Sequence, residues 1–315
     1  MPDLTTAIGG LRMRNPVMLA SGTVGYGPEY GGLIDFSNVG ALAMKTVTLE
    51  PRAGNRPPRL AETSCGLLNA IGLENVGLER FIDEKLPEAA ALPTELVASI
   101  AGTSAREYGK LAGSLGERRE IAALELNISC PNVERARNPV WNDPDAVREI
   151  VSAARDATAS TILVKLSPNT ADILGVAEAA AAAGADALTV ANTMPGMRID
   201  VATMRPALGN VTGGLSGRGL MPVNLALVWK VAAAVKIPVV GSGGVASARD
   251  ALEFIAAGAV AVQVGTAIFS SPDAPALVAQ GLSEYLETHG LKAMDDIIGT
   301  GREERQVCKQ TALAD

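Results

Sequence analysis

The 315-residue chain is acidic and aliphatic, with a formal net charge of −7, 48% hydrophobic residues and only 3% aromatic residues. A core of this composition must be built from Ala, Val, Ile and Leu, which is typical of buried parallel strands and their covering helices. The acidic balance argues against a nucleic-acid or anionic-membrane partner, because no surplus of Lys and Arg exists to neutralise phosphates. The chain has no apolar run near the ~20 residues of a membrane span and starts without a signal-peptide pattern, so we expect a cytoplasmic protein.

In chain order, a short hairpin with a Gly9-Gly10 turn comes first, and eight apolar runs separated by helical segments follow it. Eight such runs are the number that a (β/α)₈ TIM barrel needs. We therefore predict one TIM-barrel domain over residues 1–315, closed at its bottom by the N-terminal β-hairpin. The repeated helix-to-strand joint at residues 182–187 and 256–261 suits a barrel, although a doubly wound open sheet could also produce it. The eight runs are residues 17–21, 41–46, 96–102, 122–129, 161–167, 185–193, 237–244 and 259–269.

Two of the crossover helices carry clear start signals. Asp143-Pro144 places a capping residue before a proline, and an apolar stripe begins at Val147. Ser247 and Asp250 form a start that resembles a capping box, and Gly258 ends that helix. These patterns predict helices between strands four and five and between strands seven and eight.

Cysteine and histidine usage removes several kinds of site. Cys65, Cys130 and Cys308 are far apart and form no Cys-x-x-Cys pair, so neither a disulfide framework nor a cysteine-rich zinc or iron–sulfur site is predicted. His289 is the single histidine, which excludes His-dependent triads and multi-His metal centres. We predict no metal on this chain.

The ends of the predicted strands are unusually polar. Barrel enzymes place their chemistry at these carboxyl-terminal ends, so the polar residues there are candidates for the site. Two of them are lysines that interrupt apolar strands, and an anionic ligand group is their natural partner, unless their stems only reach out to solvent at the rim. The polar residues are Ser21, Lys45, Thr46, Asn127, Ser129, Cys130, Lys165, Asn192 and Thr193.

Glycine clusters follow the last strands of the barrel, at residues 213–217, 241–244 and 265. Glycines let backbone N–H groups approach a phosphate, and the loops after strands seven and eight are the usual phosphate cradle of this fold. The pattern therefore predicts the phosphate of a ligand, with glycines needed only for tight turns as the alternative. Upstream, Asn127-Ile128-Ser129-Cys130-Pro131-Asn132 flanks a thiol with amides, which suit a flat ligand whose edge alternates C=O and N–H groups.

On these residues the sequence resembles the class 1 dihydroorotate dehydrogenases and, within them, the NAD-linked class 1B catalytic subunits. The resemblance runs from residue 11 to about residue 269, nearly the whole predicted barrel. Two positions depart from the family pattern: Ser99 stands where relatives often have Asn, and Trp141 where they have small residues. The most specific matching segments are residues 20–22, 45–46, 54–59, 68–75, 127–132, 164–169 and 237–244.

The resemblance implies a set of site residues. FMN would be held by Ser21, Lys45, Thr46, Asn127, Lys165, Ala191, Gly217, Gly243, Gly244, Gly265 and Thr266. The substrate dihydroorotate would be held by Lys45, Asn69, Ala70, Ile71, Gly72, Leu73, Asn127, Asn132, Asn192 and Thr193. Cys130 would be the catalytic base that removes a proton from C5 while a hydride leaves C6, giving orotate for pyrimidine synthesis.

The class 1B resemblance also implies a partner. It predicts a heterotetramer built around a homodimer of this chain, with a second subunit that carries FAD and a [2Fe–2S] cluster and reduces NAD⁺. The chain has no strand-led Gly-x-Gly-x-x-Gly fingerprint of its own. The alternatives are a class 1A enzyme that reduces fumarate, a flavin-free phosphate-binding lyase or isomerase, and a non-enzymatic scaffold subunit.

Overall fold

A computed structural model of the chain describes residues 2–129 and 139–302. None of the helices within these ranges is long and apolar enough to cross a membrane. The strands are β1 (Thr6–Ile8), β2 (Leu11–Met13), β3 (Val17–Leu19), β4 (Ala41–Ala43), β5 (Leu60–Thr63), β6 (Gly66–Asn69), β7 (Glu95–Ile100), β8 (Ala123–Asn127), β9 (Thr161–Lys165), β10 (Ala187–Val190), β11 (Met194–Met197), β12 (Ile199–Asp200), β13 (Arg205–Pro206), β14 (Thr212–Ser216), β15 (Val239–Ser242) and β16 (Ala261–Val264). The α-helices are α1 (Leu78–Arg80), α2 (Leu86–Ala89), α3 (Ala105–Gly116), α4 (Pro144–Ala157), α5 (Ile173–Ala182), α6 (Met221–Ala234), α7 (Ala248–Ala256) and α8 (Ala274–Thr288).

Eight of these strands form a closed barrel in the order β10-β15-β16-β3-β4-β7-β8-β9. Each predicted apolar run contributes one strand, and every neighbouring pair is parallel. The predicted TIM barrel is therefore confirmed, and closure excludes the doubly wound open sheet. The extension of this single domain over all of residues 1–315 stays a prediction.

The predicted N-terminal hairpin is present and fills the bottom of the barrel. Strands β1 and β2 pair antiparallel, with Thr6 opposite Met13. The Gly10 amide donates to Thr161 Oγ1 at 2.7 Å, which ties the turn to the first residue of β9. Ile8 and Leu11 pack in one buried cluster with side chains from inside the barrel. The hairpin thus seals the amino-terminal mouth with an apolar floor.

Side chains inside the barrel change from apolar to polar along the strands. The floor cluster contains Val97, Ala123, Leu163, Ala187, Val240 and Ala261, each from a different barrel strand. Because side chains alternate with a period of two, the residue two positions further along each strand also points inward. Those six residues are all polar and buried: Ser99, Glu125, Lys165, Thr189, Ser242 and Gln263. A polar layer therefore lies directly above the apolar floor.

The predicted helix starts are also present. The Asp143 side chain caps α4 by accepting from the backbone amides of Asp145 and Ala146, and Pro144 follows at the first helical position. At α7, Ser247 Oγ accepts from the Asp250 amide. The Asp250 carboxylate accepts from Ser247 Oγ and from the Ala246 amide, so the return bond reaches one residue further back than in a capping box.

A second sheet above the barrel was not predicted. Four antiparallel strands pair in the order β11-β14-β6-β5. The glycine-rich segment that precedes α6 contributes β14, with Gly214 opposite Asn69 of β6. The small ribbon β12–β13 extends from this region. These strands bring two segments that are distant in sequence together over the carboxyl-terminal mouth.

Candidate active site

The barrel gathers the predicted site residues at one end. In a closed parallel barrel, all strands end at the same mouth, so residues that follow different strands become neighbours. Ser21, Lys45 and Thr46 follow β3 and β4, and Thr46 Oγ1 lies 2.8 Å from the buried Ser99 Oγ. Asn127 and Lys165 are the last residues of β8 and β9 and are register partners. Seven further candidates follow other barrel strands: Ala191, Asn192 and Thr193 after β10, Gly243 and Gly244 after β15, and Gly265 and Thr266 after β16.

Two amides meet where β8 and β10 end. Asn192 Nδ2 donates to Asn127 Oδ1 at 3.4 Å, and the Ser129 amide donates to the same oxygen at 3.3 Å. The Thr193 amide in turn donates to Asn192 Oδ1 at 2.8 Å. From outside, Tyr108 Oη donates to the Asn127 carbonyl oxygen at 2.7 Å. The strand end that presents Asn127 is therefore held from both sides.

The predicted substrate loop, residues 69–73, is fixed by the second sheet and by Asn55. Asn69 Nδ2 donates to the Gly214 carbonyl oxygen at 3.2 Å. Asn55 Nδ2 donates to the Ala70 carbonyl oxygen at 3.1 Å, and the Asn55 amide donates to the Ile71 carbonyl oxygen at 2.9 Å. Gly72 has a φ of +76°, and a Cβ there would lie 2.6 Å from Asn55 Cγ, so only glycine fits. Sequence reasoning missed the role of Asn55.

Lys45 is half-buried at the mouth. Its backbone amide donates to the Gly25 carbonyl oxygen at 2.8 Å. Burial lowers the pKa of the Lys45 side chain, and the nearby Glu74 carboxylate opposes this shift. A partly buried ammonium group has lost part of its hydration, which disfavours its charged form. An anionic ligand compensates for this loss, because an opposite charge nearby stabilises the charged form.

Lys165 is buried, with 4% of the residue exposed. Its Nζ donates to Gln263 Oε1 at 2.8 Å and lies 3.5 Å from Glu125 Oε1. The alternative that this side chain only reaches out to solvent is therefore wrong. Glu125 was missed in the sequence, although a carboxylate inside the apolar run Ala123-Leu124-Glu125-Leu126 is a visible signal.

The glycines near the mouth differ in how closely other atoms surround them. Gly244 has a φ of +93°, and a Cβ there would lie 2.7 Å from the Met221 amide nitrogen at the start of α6. Gly217 has a φ of +112°, and a Cβ there would lie 2.6 Å from Gly66 Cα. Tight packing thus accounts for these two, as it does for Gly243 against Asn224. A Cβ at Gly22, in contrast, would meet no atom within 4 Å, so the space beside it is open.

Two predicted site residues, Cys130 and Asn132, lie outside the described residues. Cys130 comes three residues after the last residue of β8, and Ser129 is the last described residue before it. The roles given to both residues stay predictions.

A closed barrel with amides and lysines gathered at its carboxyl-terminal mouth is the arrangement of a TIM-barrel enzyme. The family model described as dihydroorotate dehydrogenase matches residues 3–286. The chain belongs to the dihydroorotate dehydrogenase family.

Individual relatives agree with this assignment. The chain is 49% identical over 298 residues to a protein of Pelobacter propionicus named dihydroorotate dehydrogenase B (NAD(+)), catalytic subunit, covering 95% of this chain and 98% of the relative. A protein of Trichlorobacter lovleyi with the same name is 50% identical, with the same coverage. Among solved structures, the dihydroorotate dehydrogenase of Eimeria tenella in complex with ferulenol has the same fold, with a TM-score of 0.79 at 24% identity, covering 96% of this chain and 89% of that one.

Membership of this family implies FMN on the chain, and the mouth of the barrel fits it. The Gly243-Gly244 turn, which follows barrel strand β15, lies directly against Met221, the first residue of the 14-residue helix α6. The loop after this strand is a usual phosphate site of the fold. The open space beside Gly22 leaves room for a bulky group. The buried ammonium of Lys165 supplies a positive charge at the end of β9.

Proposed function

We propose that this chain is the FMN-containing catalytic subunit of an NAD⁺-linked dihydroorotate dehydrogenase. It oxidises (S)-dihydroorotate to orotate in the synthesis of UMP. The observation that carries the proposal is the joining of Asn127 and Asn192 at the mouth that also presents Lys45 and Lys165. Relatives of nearly equal length that bear this name support it.

The residue types suggest a division of labour. Asn127, Asn192 and the substrate loop offer the donors and acceptors that a pyrimidine ring with alternating C=O and N–H groups requires. Lys45 binds the substrate carboxylate, and Asn132 adds a further amide. FMN, when bound, would supply the acceptor for the hydride from C6 of the substrate. Lys165 would place its positive charge beside the flavin, where negative charge accumulates when the flavin is reduced.

Cys130 takes the role of general base. Its thiolate removes the proton from C5 of dihydroorotate, so that the substrate loses one proton and one hydride and orotate forms. A thiol with an ordinary pKa of about 8.5 can hold and release a proton near neutral pH.

A second subunit completes the reaction in this proposal. The relatives are named catalytic subunits, which supports a partner. We propose that the partner carries FAD and a [2Fe–2S] cluster, passes electrons to NAD⁺, and binds a homodimer of this chain in a heterotetramer. Without its partner, the chain uses dihydroorotate to reduce artificial dyes but does not reduce NAD⁺.

The first test is a visible spectrum of the purified chain before and after anaerobic addition of dihydroorotate. We expect a yellow protein with one non-covalent FMN per chain that bleaches on addition of substrate. A colourless chain that refuses added FMN would contradict the proposal and favour a lyase or isomerase. NADH formation and fumarate reduction are then measured with and without the partner. Efficient fumarate turnover by the chain alone would shift the assignment to class 1A.

The pH dependence of orotate binding tests Lys45. The protonated ammonium binds the carboxylate, so its contribution is full below the lowered pKa of Lys45 and is lost as the pH rises through that pKa. We expect Lys45→Met to weaken orotate binding about 10- to 100-fold at neutral pH, the range for a hydrogen bond to a charged group. The ratio of the two dissociation constants should fall toward one at alkaline pH. Using the ratio cancels the titration of orotate itself, and a ratio independent of pH would remove Lys45 from this role.

A further inference from the structure

Four polar side chains from four strands form a buried cluster inside the barrel, which we term the Glu125 cluster. Its members are Glu125 on β8, Lys165 on β9, Thr189 on β10 and Gln263 on β16. Three of them are fully buried, and Lys165 is 4% exposed. Among the described residues, Glu125 and Lys165 are the charged pair of the barrel interior. The proposed function uses Lys165 but gives no task to the other three.

Gln263 joins the two charges through its amide. Its Oε1 accepts from Lys165 Nζ at 2.8 Å, and its Nε2 donates to Glu125 Oε2 at 2.6 Å. Thr189 Oγ1 donates to the same carboxylate oxygen at 3.3 Å. The other oxygen, Glu125 Oε1, lies 3.5 Å from Lys165 Nζ and accepts no hydrogen bond in the structure. Both charges therefore fix the orientation of the Gln263 amide, and the amide holds them at a set separation.

Glu125 lies closer to the floor than Lys165 does. Its register partner on β9 is Leu163, two residues before Lys165. Lys165 ends its strand at the mouth, whereas the carboxylate approaches the ammonium from within the barrel. A buried carboxylate at this distance offsets part of the positive charge that the lysine presents, because the protein interior screens the pair far less than water does.

We propose that Glu125 is a positioning residue that acts on the cofactor through Lys165. With Gln263 it holds the Lys165 ammonium at the end of β9, and its negative charge reduces the net positive charge that FMN meets there. Glu125 thereby lowers the reduction potential of the bound flavin, because a smaller positive charge stabilises the electron-rich form less. This inference rests on the proposed binding of FMN beside Lys165.

The test is the two-electron reduction potential of FMN bound to Glu125→Gln, measured by anaerobic dye equilibration without dihydroorotate or NAD⁺. We expect the affinity of the variant for reduced FMN, relative to oxidised FMN, to rise about tenfold, which corresponds to a potential roughly 30 mV higher. The matched control is Asp186→Asn. It also turns an ion-paired carboxylate into an amide, but Asp186 pairs with Arg155 at 3.0 Å before the first residue of β10, at the floor end. The control should lower stability and leave the potential unchanged.

A second comparison, in the Lys165→Met background, tests the same inference if Glu125→Gln alone folds poorly. Lys165→Met should lower the potential and also lower thermal stability, since it leaves the Glu125 carboxylate buried without its ion partner. Adding Glu125→Gln to Lys165→Met should then restore thermal stability without moving the potential further. An unchanged or lowered potential in Glu125→Gln would overturn the inference, as would an equal shift in the Lys165→Met background. Wild-type protein that binds no FMN would instead contradict the proposed function.

Discussion

Replacement of Cys130 by Ala is expected to slow flavin reduction by dihydroorotate about 10²- to 10⁴-fold at neutral pH, the usual contribution of a general base. In the proposed mechanism, the proton on C5 then has no acceptor, while the amides proposed to recognise the pyrimidine ring remain. Orotate binding should therefore stay largely intact. Anaerobic stopped-flow absorbance measures the rate, and the spectral change on addition of orotate measures the binding.

Two further variants make this prediction sharp. Cys130→Ser should retain slow activity that rises with pH, because a hydroxyl is a far weaker acid than a thiol and its alkoxide is scarcely populated. Cys65→Ala is the matched control, since Cys65 is an exposed free thiol. It should reduce flavin at the normal rate. Normal reduction by Cys130→Ala would mean that another group is the base.

Replacement of Leu11 by Ala is expected to lower the free energy of unfolding by about 2–5 kcal/mol, the range for a buried leucine whose removal leaves a cavity. Leu11 is 0% exposed in β2 and packs in the apolar floor of the barrel. The surrounding barrel strands limit how far the floor can collapse, so we expect a value within the upper half of that range. Urea unfolding of the FMN-free protein measures the change.

The control for this variant is Leu33→Ala, at a leucine that is 65% exposed. Loss of an exposed side chain should change stability by less than about 0.5 kcal/mol. The floor lies at the opposite end of the barrel from the proposed site. In folded Leu11→Ala protein, dihydroorotate should therefore still reduce the bound flavin at the normal rate. A loss of stability below about 1 kcal/mol would mean that the hairpin does not fill the barrel as described.

The barrel could be predicted because its signals are local. Each strand is a short apolar run that ends in polar residues, and helices α4 and α7 begin at side chains that cap their own first turn. The Gly9-Gly10 turn likewise indicates the hairpin from two adjacent residues alone. None of these features depends on residues far away in the chain.

The second sheet could not be predicted for the opposite reason. Strand β14 contains Gly213 and Gly214, which have low strand propensity, and it forms because β6 pairs with it across about 145 residues. In the sequence, the same glycines indicate a phosphate loop. In the structure they lie where strands and side chains approach closely: a Cβ at Gly213 would lie 2.5 Å from the Asn69 carbonyl oxygen.

The site was predictable in its residue types and less so in its connections. Lys165 stood out as a charge in an apolar strand, but its contact with Gln263 spans 98 residues. That contact requires barrel closure, which brings β9 and β16 face to face across the interior. The glycines at 243 and 244 show a related limit, since a sequence cannot separate a glycine needed for packing from one needed for a ligand.

The hairpin that fills the lower mouth also determines the order in which ligands can enter and leave the barrel. In the described part of the chain, the apolar floor leaves the carboxyl-terminal mouth as the route to Lys165, which lies deeper than the half-buried Lys45. When two small molecules reach their sites through one opening, the outer molecule must leave before the deeper one can. A cofactor seated at Lys165 therefore has to enter before a ligand that binds at Lys45, and it can depart only after that ligand has gone. If FMN and orotate bind as proposed, bound substrate or product therefore blocks the exit of FMN and slows its exchange during turnover.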